Sequence, residues 1–345
     1  MRSIARWLLG IVASAGLATA DGYDPLKVPE AEVASKIFDV KDAGRDRTLP
    51  IRVYLPAGKA AAPVVIFSHG LGGSRDNNPY LGNHWAKRGY VVVFLQHPGS
   101  DETVWKDTPR AGRMGAMREA ASANNLILRV KDVPAVLDEL GKWNGEKDHP
   151  LHARLDLRHT GMSGHSFGAV TTQAVAGQSA AGGRMSFTDS RISAAVMFSP
   201  SPPKLGDPAA AFSSIRIPCL LMTGTLDTSP IGNTGAEDRL KVFPHLTQAP
   251  AWQVVFDKAT HMSFGDRDLQ GNPEDGNRYH QPILALTTAF WDAELRGNKD
   301  AEAWLVGEAA KSVMKPGDRW EMNARAKDRS NDPAQPPSAS AGRGR

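Results

Sequence analysis

Ser166 stands inside Gly164-His165-Ser166-Phe167-Gly168, a G-x-S-x-G pentapeptide, and the chemistry it suggests is nucleophilic attack. An aliphatic hydroxyl attacks poorly at neutral pH, so it needs a base within hydrogen-bond reach and an exposed position. A sharp strand-to-helix turn gives the position: it lifts the hydroxyl above a sheet, and only glycines fit its crowded flanks. The surroundings agree. Residues 159–163 read as a strand, and residues 167–176 suit a helix through Val170, Ala174 and Val175. By itself the pentapeptide would equally describe a glycine-rich turn before a helix.

A second segment, Ser68-His69-Gly70-Leu71-Gly72-Gly73, directly follows a continuous apolar run. In acyl transfer the carbonyl oxygen gains charge, and backbone N–H groups must already point at it. A glycine-rich loop at a strand's C-terminal end lets the backbone approach that oxygen. The N–H of Leu71 is assigned as one donor and the N–H of Phe167 as the other; the rival is an ordinary tight turn. His69 and His165 come too early in the chain to be the base and are expected to orient these two loops.

The expected order of groups is serine, then acid, then histidine. Gly224-Thr225-Leu226-Asp227 follows a strand candidate at residues 217–223. An ionised Asp227 there would accept an imidazole N–H, fix the tautomer and stabilise the imidazolium that forms. The next candidate, residues 252–256, leads into Lys258-Ala259-Thr260-His261. His261 is then the base that takes the Ser166 proton and returns it to the leaving group. His245 and His280 are its rivals, Asp257 is a rival acid, and Asp227 read blandly is a turn residue. His149, His152 and His159 lack metal-ligand spacing. Asp266, Asp268 and Asp275 do not follow a calcium-loop pattern. Trp85 and Trp105 are candidates for the pocket wall, although tryptophan usually serves the core.

Those side chains need a scaffold. Strand-like runs at residues 48–55, 63–68, 90–95 and 192–198 join the three already named, and longer helical patterns separate them. Continuous apolar strands alternating with helices imply α/β architecture, a mostly parallel central sheet with helices on both faces. Residues 78–88 have the length of a crossover helix closed by Gly89. Leu126, Val130, Val133, Leu137 and Leu140 share one helical face, and Pro134 is expected to kink or restart that helix. Residues 279–295 form a second strong helix through Ile283, Leu286, Phe290 and Trp291.

Composition bounds the rest. The chain has 345 residues, 41% hydrophobic and 23% charged, which is ordinary globular usage. Residues 1–20 carry Arg2 and Arg6, an apolar run and Ala18-Thr19-Ala20, the layout of a secretory signal peptide. The expectation is a secreted or periplasmic protein with no stable membrane anchor after cleavage. The formal net charge of +4 is a small excess without a dense basic block, which argues against nucleic-acid binding. The single cysteine, Cys219, sits in an apolar run and reads as a buried thiol, not a disulfide partner. One catalytic domain is expected over residues 21–315. A polar tail rich in Pro, Ser and Gly, expected to be disordered, follows over residues 316–345.

With those residues in hand, the chain resembles the α/β-hydrolase branch that holds platelet-activating-factor acetylhydrolases and dienelactone-hydrolase-like esterases. The likeness rests on Phe67-Ser68-His69-Gly70-Leu71-Gly72-Gly73, on residues 85–97, and on Gly164-His165-Ser166-Phe167-Gly168-Ala169. It implies an α/β-hydrolase fold, a Ser166–Asp227–His261 triad, oxyanion donors at Leu71 and Phe167, and no cofactor or metal. The implied partner is a small-molecule or lipid-like ester. Departures are visible: true dienelactone hydrolases carry cysteine where Ser166 stands, Ala169 replaces a frequent glycine, and residues 101–123 match the lipid-mediator enzymes poorly. Secreted polyester hydrolases share the triad order, but with a different residue before the nucleophile and a terminal disulfide. A serine peptidase, a cofactor-free haloperoxidase-like enzyme and a non-catalytic binding module on the same fold are the remaining readings.

Overall fold

In the run Val64-Val65-Ile66-Phe67, successive side chains point to opposite faces of a sheet, and all four are under 2% exposed. Such a strand needs cover on both sides. The computed structural model, which describes residues 22–266 and 273–329, provides it. A nine-stranded sheet runs in the order β1-β2-β4-β3-β5-β8-β9-β10-β11. Its strands are β1 (Ala34–Asp42), β2 (Arg47–Leu55), β3 (Ala62–Ser68), β4 (Val91–Leu95), β5 (Leu155–His165), β8 (Ile192–Phe198), β9 (Cys219–Leu226), β10 (Ala251–Thr260) and β11 (Arg319–Met322). The short strands β6 (Ser179–Ala180) and β7 (Met185–Ser186) form a separate hairpin. From β4 through β10 the neighbours are parallel. The pairs β1–β2, β2–β4 and β10–β11 are antiparallel.

The two faces bury different helices. Val65, Phe67, Val92 and Phe94 pack with Leu81 and Trp85 of α1 (Pro79–Lys87), with Ile283, Phe290 and Trp291 of α8 (Pro273–Arg296), and with Trp304 of α9 (Lys299–Val306). Val64, Ile66, Val91 and Val93 pack with Val130, Val133, Leu137 and Leu140 of α4 (Ala123–Gly145). On that same side α5 (Phe167–Ala176) and α6 (Pro208–Phe212) cover Met197, Cys219 and Leu221. Three short helices lie in the connections: α2 (Thr103–Lys106), α3 (Arg113–Ala120) and α7 (Ala236–Arg239). A final one, α10 (Ala324–Asp328), follows β11.

The expected α/β architecture is therefore present, with three corrections. First, of the kink or restart expected at Pro134 the restart is absent: α4 runs unbroken over its 23 residues, Ala123–Gly145. Pro134 removes one intrahelical donor, but Val130, Val133, Val136, Leu137 and Leu140 are all within 2% of full burial. At about 1.5–3 kcal/mol per buried side chain, that face outweighs the single lost bond. Second, the tail does not begin at residue 316. Trp320 of β11 pairs with Val254 of β10, and Asn323 Nδ2 donates to Leu246 O and Ala249 O, each at 2.8 Å. Third, β1 was not anticipated, because its residues are mostly exposed on the sheet edge and only Val40 is fully buried. The first 20 residues and residues 330–345 lie outside the described residues.

Candidate active site

The three strands β5, β9 and β10 end at one rim of the sheet, and each delivers one of the proposed chemical groups. Ser166 follows β5 directly and precedes α5, with φ 57° and ψ −113°. That is a sparsely populated conformation for a side-chain-bearing residue, and it costs on the order of 1–3 kcal/mol. The surroundings enforce it. Ser166 N–H donates to Phe198 O at 2.9 Å, and its carbonyl accepts Val170 N–H at 3.1 Å. A Cβ on Gly164 would lie 2.4 Å from Gly168 O, and one on Gly168 would lie 1.9 Å from Ser68 O. Both glycines are thus required by close backbone approach. Gly168→Ala is expected to lower the thermal midpoint sharply or abolish soluble expression, since overpacking against main chain costs about 1–3 kcal/mol or more. An unchanged melting curve would contradict this account of the turn.

Asp227 follows β9, and His261 opens a short 3-10 turn, His261–Phe264, after β10. The two strands close up between them, because a Cβ on Gly224 would lie 2.1 Å from Ala259 O. Ser263 Oγ accepts Thr260 N–H at 2.9 Å and fixes the start of the turn. His261 Nε2 then lies 2.9 Å from Ser166 Oγ, and His261 Nδ1 lies 2.7 Å from Asp227 Oδ1. Because an ionised carboxylate only accepts, Nδ1 carries the proton and Nε2 is free to accept from the serine hydroxyl. Ser166 is half-buried, whereas Asp227 is fully buried.

Burial alone would raise the Asp227 carboxyl, but the His261 hydrogen bond and the Arg239 guanidinium outweigh it and hold the group down to about 2. Thr223 Oγ1 donates to its second oxygen at 2.8 Å. Arg239 Nε lies 3.4 Å from Asp227 Oδ1, and its Nη1 donates to Ser199 O, Pro200 O and Ser201 Oγ. Arg239 Nη2 also lies 3.4 Å from His261 Nδ1. That nitrogen already donates to Asp227, so the arginine acts on the carboxylate and not on the ring. Neither Thr223 nor Arg239 was singled out in the sequence. Thr223 could have been, since it closes the apolar run just before the loop, but Arg239 has no spacing signal.

The two backbone donors sit beside the hydroxyl. Gly70 lies so close that a Cβ there would be 3.6 Å from Ser166 Cβ, which places the Gly70–Leu71 peptide against Ser166. Neither Leu71 N–H nor Phe167 N–H meets an acceptor among the described residues. The Gly70 carbonyl, opposite the Leu71 N–H in the same peptide, accepts Gly73 N–H at 3.1 Å and His69 Nδ1–H at 2.6 Å. His69 Nε2 in turn accepts His97 N–H at 3.1 Å, which fixes its tautomer. His165 Nε2 donates to His261 O at 3.0 Å. Both histidines thus hold loops, as their positions before the acid suggested.

The other candidates are not gathered here. His280 Nε2 donates to Gly265 O at 3.0 Å and its ring stacks on Tyr80. His245 lies in a separate turn, Phe243–His245. Asp257 bonds through its backbone to Asp318 and Tyr279, away from the imidazole. Trp85 is core, fully buried in the cluster with Trp291. Trp105 is at the site's edge, donating from Nε1 to Gly72 O at 2.7 Å. No cluster of metal-ligating side chains occurs among the described residues, and Asp268 lies outside them. No described helix is long and apolar enough to cross a membrane. Cys219 is fully buried, and burial pushes its thiol well above the usual range.

A family model described as platelet-activating factor acetylhydrolase, isoform II, matches residues 51–110. That stretch holds β3, the loop through Leu71, α1, β4 and α2. The chain has the α/β-hydrolase fold. Within the α/β-hydrolases it resembles the acetylhydrolase branch, and the match supports a hydrolase acting on ester bonds. No curated protein matches the chain. The matched stretch of this α/β-hydrolase ends before Ser166, so Ser166, Asp227 and His261 rest on their own geometry.

Acidity should unfold this hydrolase early. Burial, helped by Arg129, lowers His97 to about 4, and burial, helped by His261, lowers His165 to about 3. Unfolding returns each histidine to its ordinary value near 6.5. Between that value and about 4 the unfolded chain binds more protons, so stability falls as pH falls. His97 alone contributes up to about 3 kcal/mol over this window at roughly 1.4 kcal/mol per pH unit. Asp227, held down to about 2, adds a loss of the same sign below its ordinary value. Urea midpoints measured from pH 7.5 to 4.5 should decline steadily; a flat series would refute the buried, neutral state of these rings.

Proposed function

We propose that the chain is an exported serine carboxylic ester hydrolase acting through a Ser166–His261–Asp227 triad and an acyl-enzyme intermediate. The observation that carries the reading is the unbroken hydrogen-bond chain from Asp227 through His261 to Ser166 Oγ, with two unengaged backbone N–H groups beside it. As the hydroxyl attacks the ester carbonyl, His261 Nε2 takes its proton, and the Leu71 and Phe167 N–H groups receive the developing oxyanion. The ester C–O bond then breaks, and His261 returns the proton to the leaving alcohol. Water deprotonated by His261 attacks the acyl-enzyme in the same manner, releasing the acid. The mechanism draws on side chains, backbone and water.

Within that class, the family match over residues 51–110 favours acetylhydrolase-type substrates, small or lipid-like esters with a short acyl group. A series of p-nitrophenyl esters from acetate to palmitate, run beside an sn-2 acetyl phospholipid, a polyester and a peptide anilide, tests this. The expected order places acetate or butyrate first and the anilide below detection. Preference for the anilide would overturn the ester reading. Export is tested by cell fractionation and by N-terminal sequencing, with Asp21 expected as the first residue of the exported protein.

A further inference from the structure

Arg129 is fully buried on α4, yet it makes no ion pair with a carboxylate among the described residues. A guanidinium withdrawn from water without a paired carboxylate is costly, so its five N–H groups must be satisfied by neutral acceptors. Four hydrogen bonds to neutral oxygens are made, and the acceptors are not scattered. Nη2 donates to His69 O and, at 3.1 Å, to Ser68 Oγ; Nη1 donates to Ser100 Oγ at 3.1 Å; Nε donates to Thr171 Oγ1 at 3.2 Å. The guanidinium carbon also lies 4.7 Å from the centre of the Phe167 ring. Burial lowers this group to about 9 against the opposing pull of Asp132 and Asp101, so it stays charged at neutral pH.

The contacts to His69, Thr171 and Phe167 each bear on one of the two backbone donors. His69 O belongs to the peptide that precedes Gly70, one unit before the peptide that carries the Leu71 N–H. Thr171, held by Nε, passes its own proton to Phe167 O at 3.0 Å. The guanidinium face rests on the Phe167 ring, whose backbone N–H is the second donor. Ser68 Oγ also faces His97 Nε2 at 2.9 Å, and His97 Nδ1 faces Asp132 at 2.9 Å. Asp132 is clamped by Arg45 and Arg47, so the far end of the network is fixed. We infer that Arg129 is a positioning residue of the oxyanion hole, setting the Gly70–Leu71 loop and the start of α5 in mutual register. A planar fork with directed donors can do this for two separate segments at once; an ammonium cannot.

The inference rests on the serine hydrolase reading above, and the test separates the two. Steady-state hydrolysis of p-nitrophenyl butyrate is measured for wild type, R129M, R129K and T171V, with the inhibition constant of an aryl trifluoromethyl ketone. The ketone adds to Ser166 Oγ: a C–O bond forms, the carbonyl π pair moves to oxygen, and the serine proton passes to His261. It thereby probes the hole with an oxyanion. R129M is expected to lose about 10- to 100-fold in kcat with KM nearly unchanged, a share of the 10²–10³ that a donor contributes. The ketone should weaken by a similar factor. R129K should recover only part of this despite its charge, and T171V should lose about 3- to 10-fold. A folded R129M with wild-type kcat overturns the inference, as does a loss of kcat with unaltered ketone affinity. If R129M does not fold, R129K and T171V decide by the same criteria. A wild-type protein inert to esters and to a fluorophosphonate overturns the hydrolase reading itself.

Discussion

Ser166→Ala is expected to lower kcat for ester hydrolysis by about 10⁴- to 10⁶-fold and to abolish labelling by a fluorophosphonate. The size of the effect follows from what the hydroxyl does. It is the atom that bonds to carbon, and its proton is the one that faces His261 Nε2 across 2.9 Å. What survives is the electrostatic help of the two backbone donors, on the order of 10³–10⁴ over water. His261→Ala should fall to the same floor, and the double variant should fall no further, because residues that act as one unit do not add. Folding should be unharmed. The backbone at residue 166 is strained by its neighbours, and Ala neither adds to nor relieves that strain. Full activity in a folded Ser166→Ala variant would end the proposal outright.

Asp227→Asn comes second in magnitude, at about 10⁴-fold in kcat. An amide is nearly the size of the carboxylate but has a donor on one side. Thr223 Oγ1 donates to one oxygen of residue 227, and His261 Nδ1 faces the other, so an amide oxygen kept by Thr223 is turned away from the ring. With one amide oxygen available, the NH2 is left to face His261 Nδ1. The imidazole must then accept at Nδ1 and carry its proton on Nε2, where it can no longer take one from Ser166. Stopped-flow acylation should show the loss in the first step, with the fluorophosphonate reacting correspondingly slowly. A variant within tenfold of wild type would mean that Asp227 does not set the tautomer. Glu at the same position is expected to fare poorly as well, since Asp227 is fully enclosed and an added methylene has no space.

The site was legible where local chain geometry demands particular residue types. Gly164 and Gly168 mark the turn around Ser166 because main-chain atoms occupy the space of any Cβ. Asp227 and His261 were legible through their place after apolar runs that end at the same rim. Buried strands such as β3, β4 and β8 announced themselves because both faces are covered, leaving no polar alternation to confuse the pattern. Edge strands did not. β1 shows mostly exposed side chains, and β11 sits in a stretch whose composition suits a solvated tail, with Trp320 its one apolar anchor of size. Arg129 and Arg239 were invisible for a different reason. Their meaning lies in acceptors 29 to 61 residues away or across another loop, and an isolated arginine in a helix carries no sign of burial. Pro134 misled because propensity measures a local cost, whereas the α4 face gains from the whole sheet.

Cys219 offers a consequence of another kind. It is the sole thiol of the chain, it opens β9, the strand whose far end leads to Asp227, and it is sealed beneath Ala176, Phe212 and Ile215. An alkylating reagent reaches it only when that strand parts from its neighbours. The alkylation rate of the native protein is therefore a clock for opening of the sheet along β9, readable without adding any probe. Comparing that rate with and without a covalent adduct on Ser166 would tell how far occupancy of the site is felt in the strand beneath it.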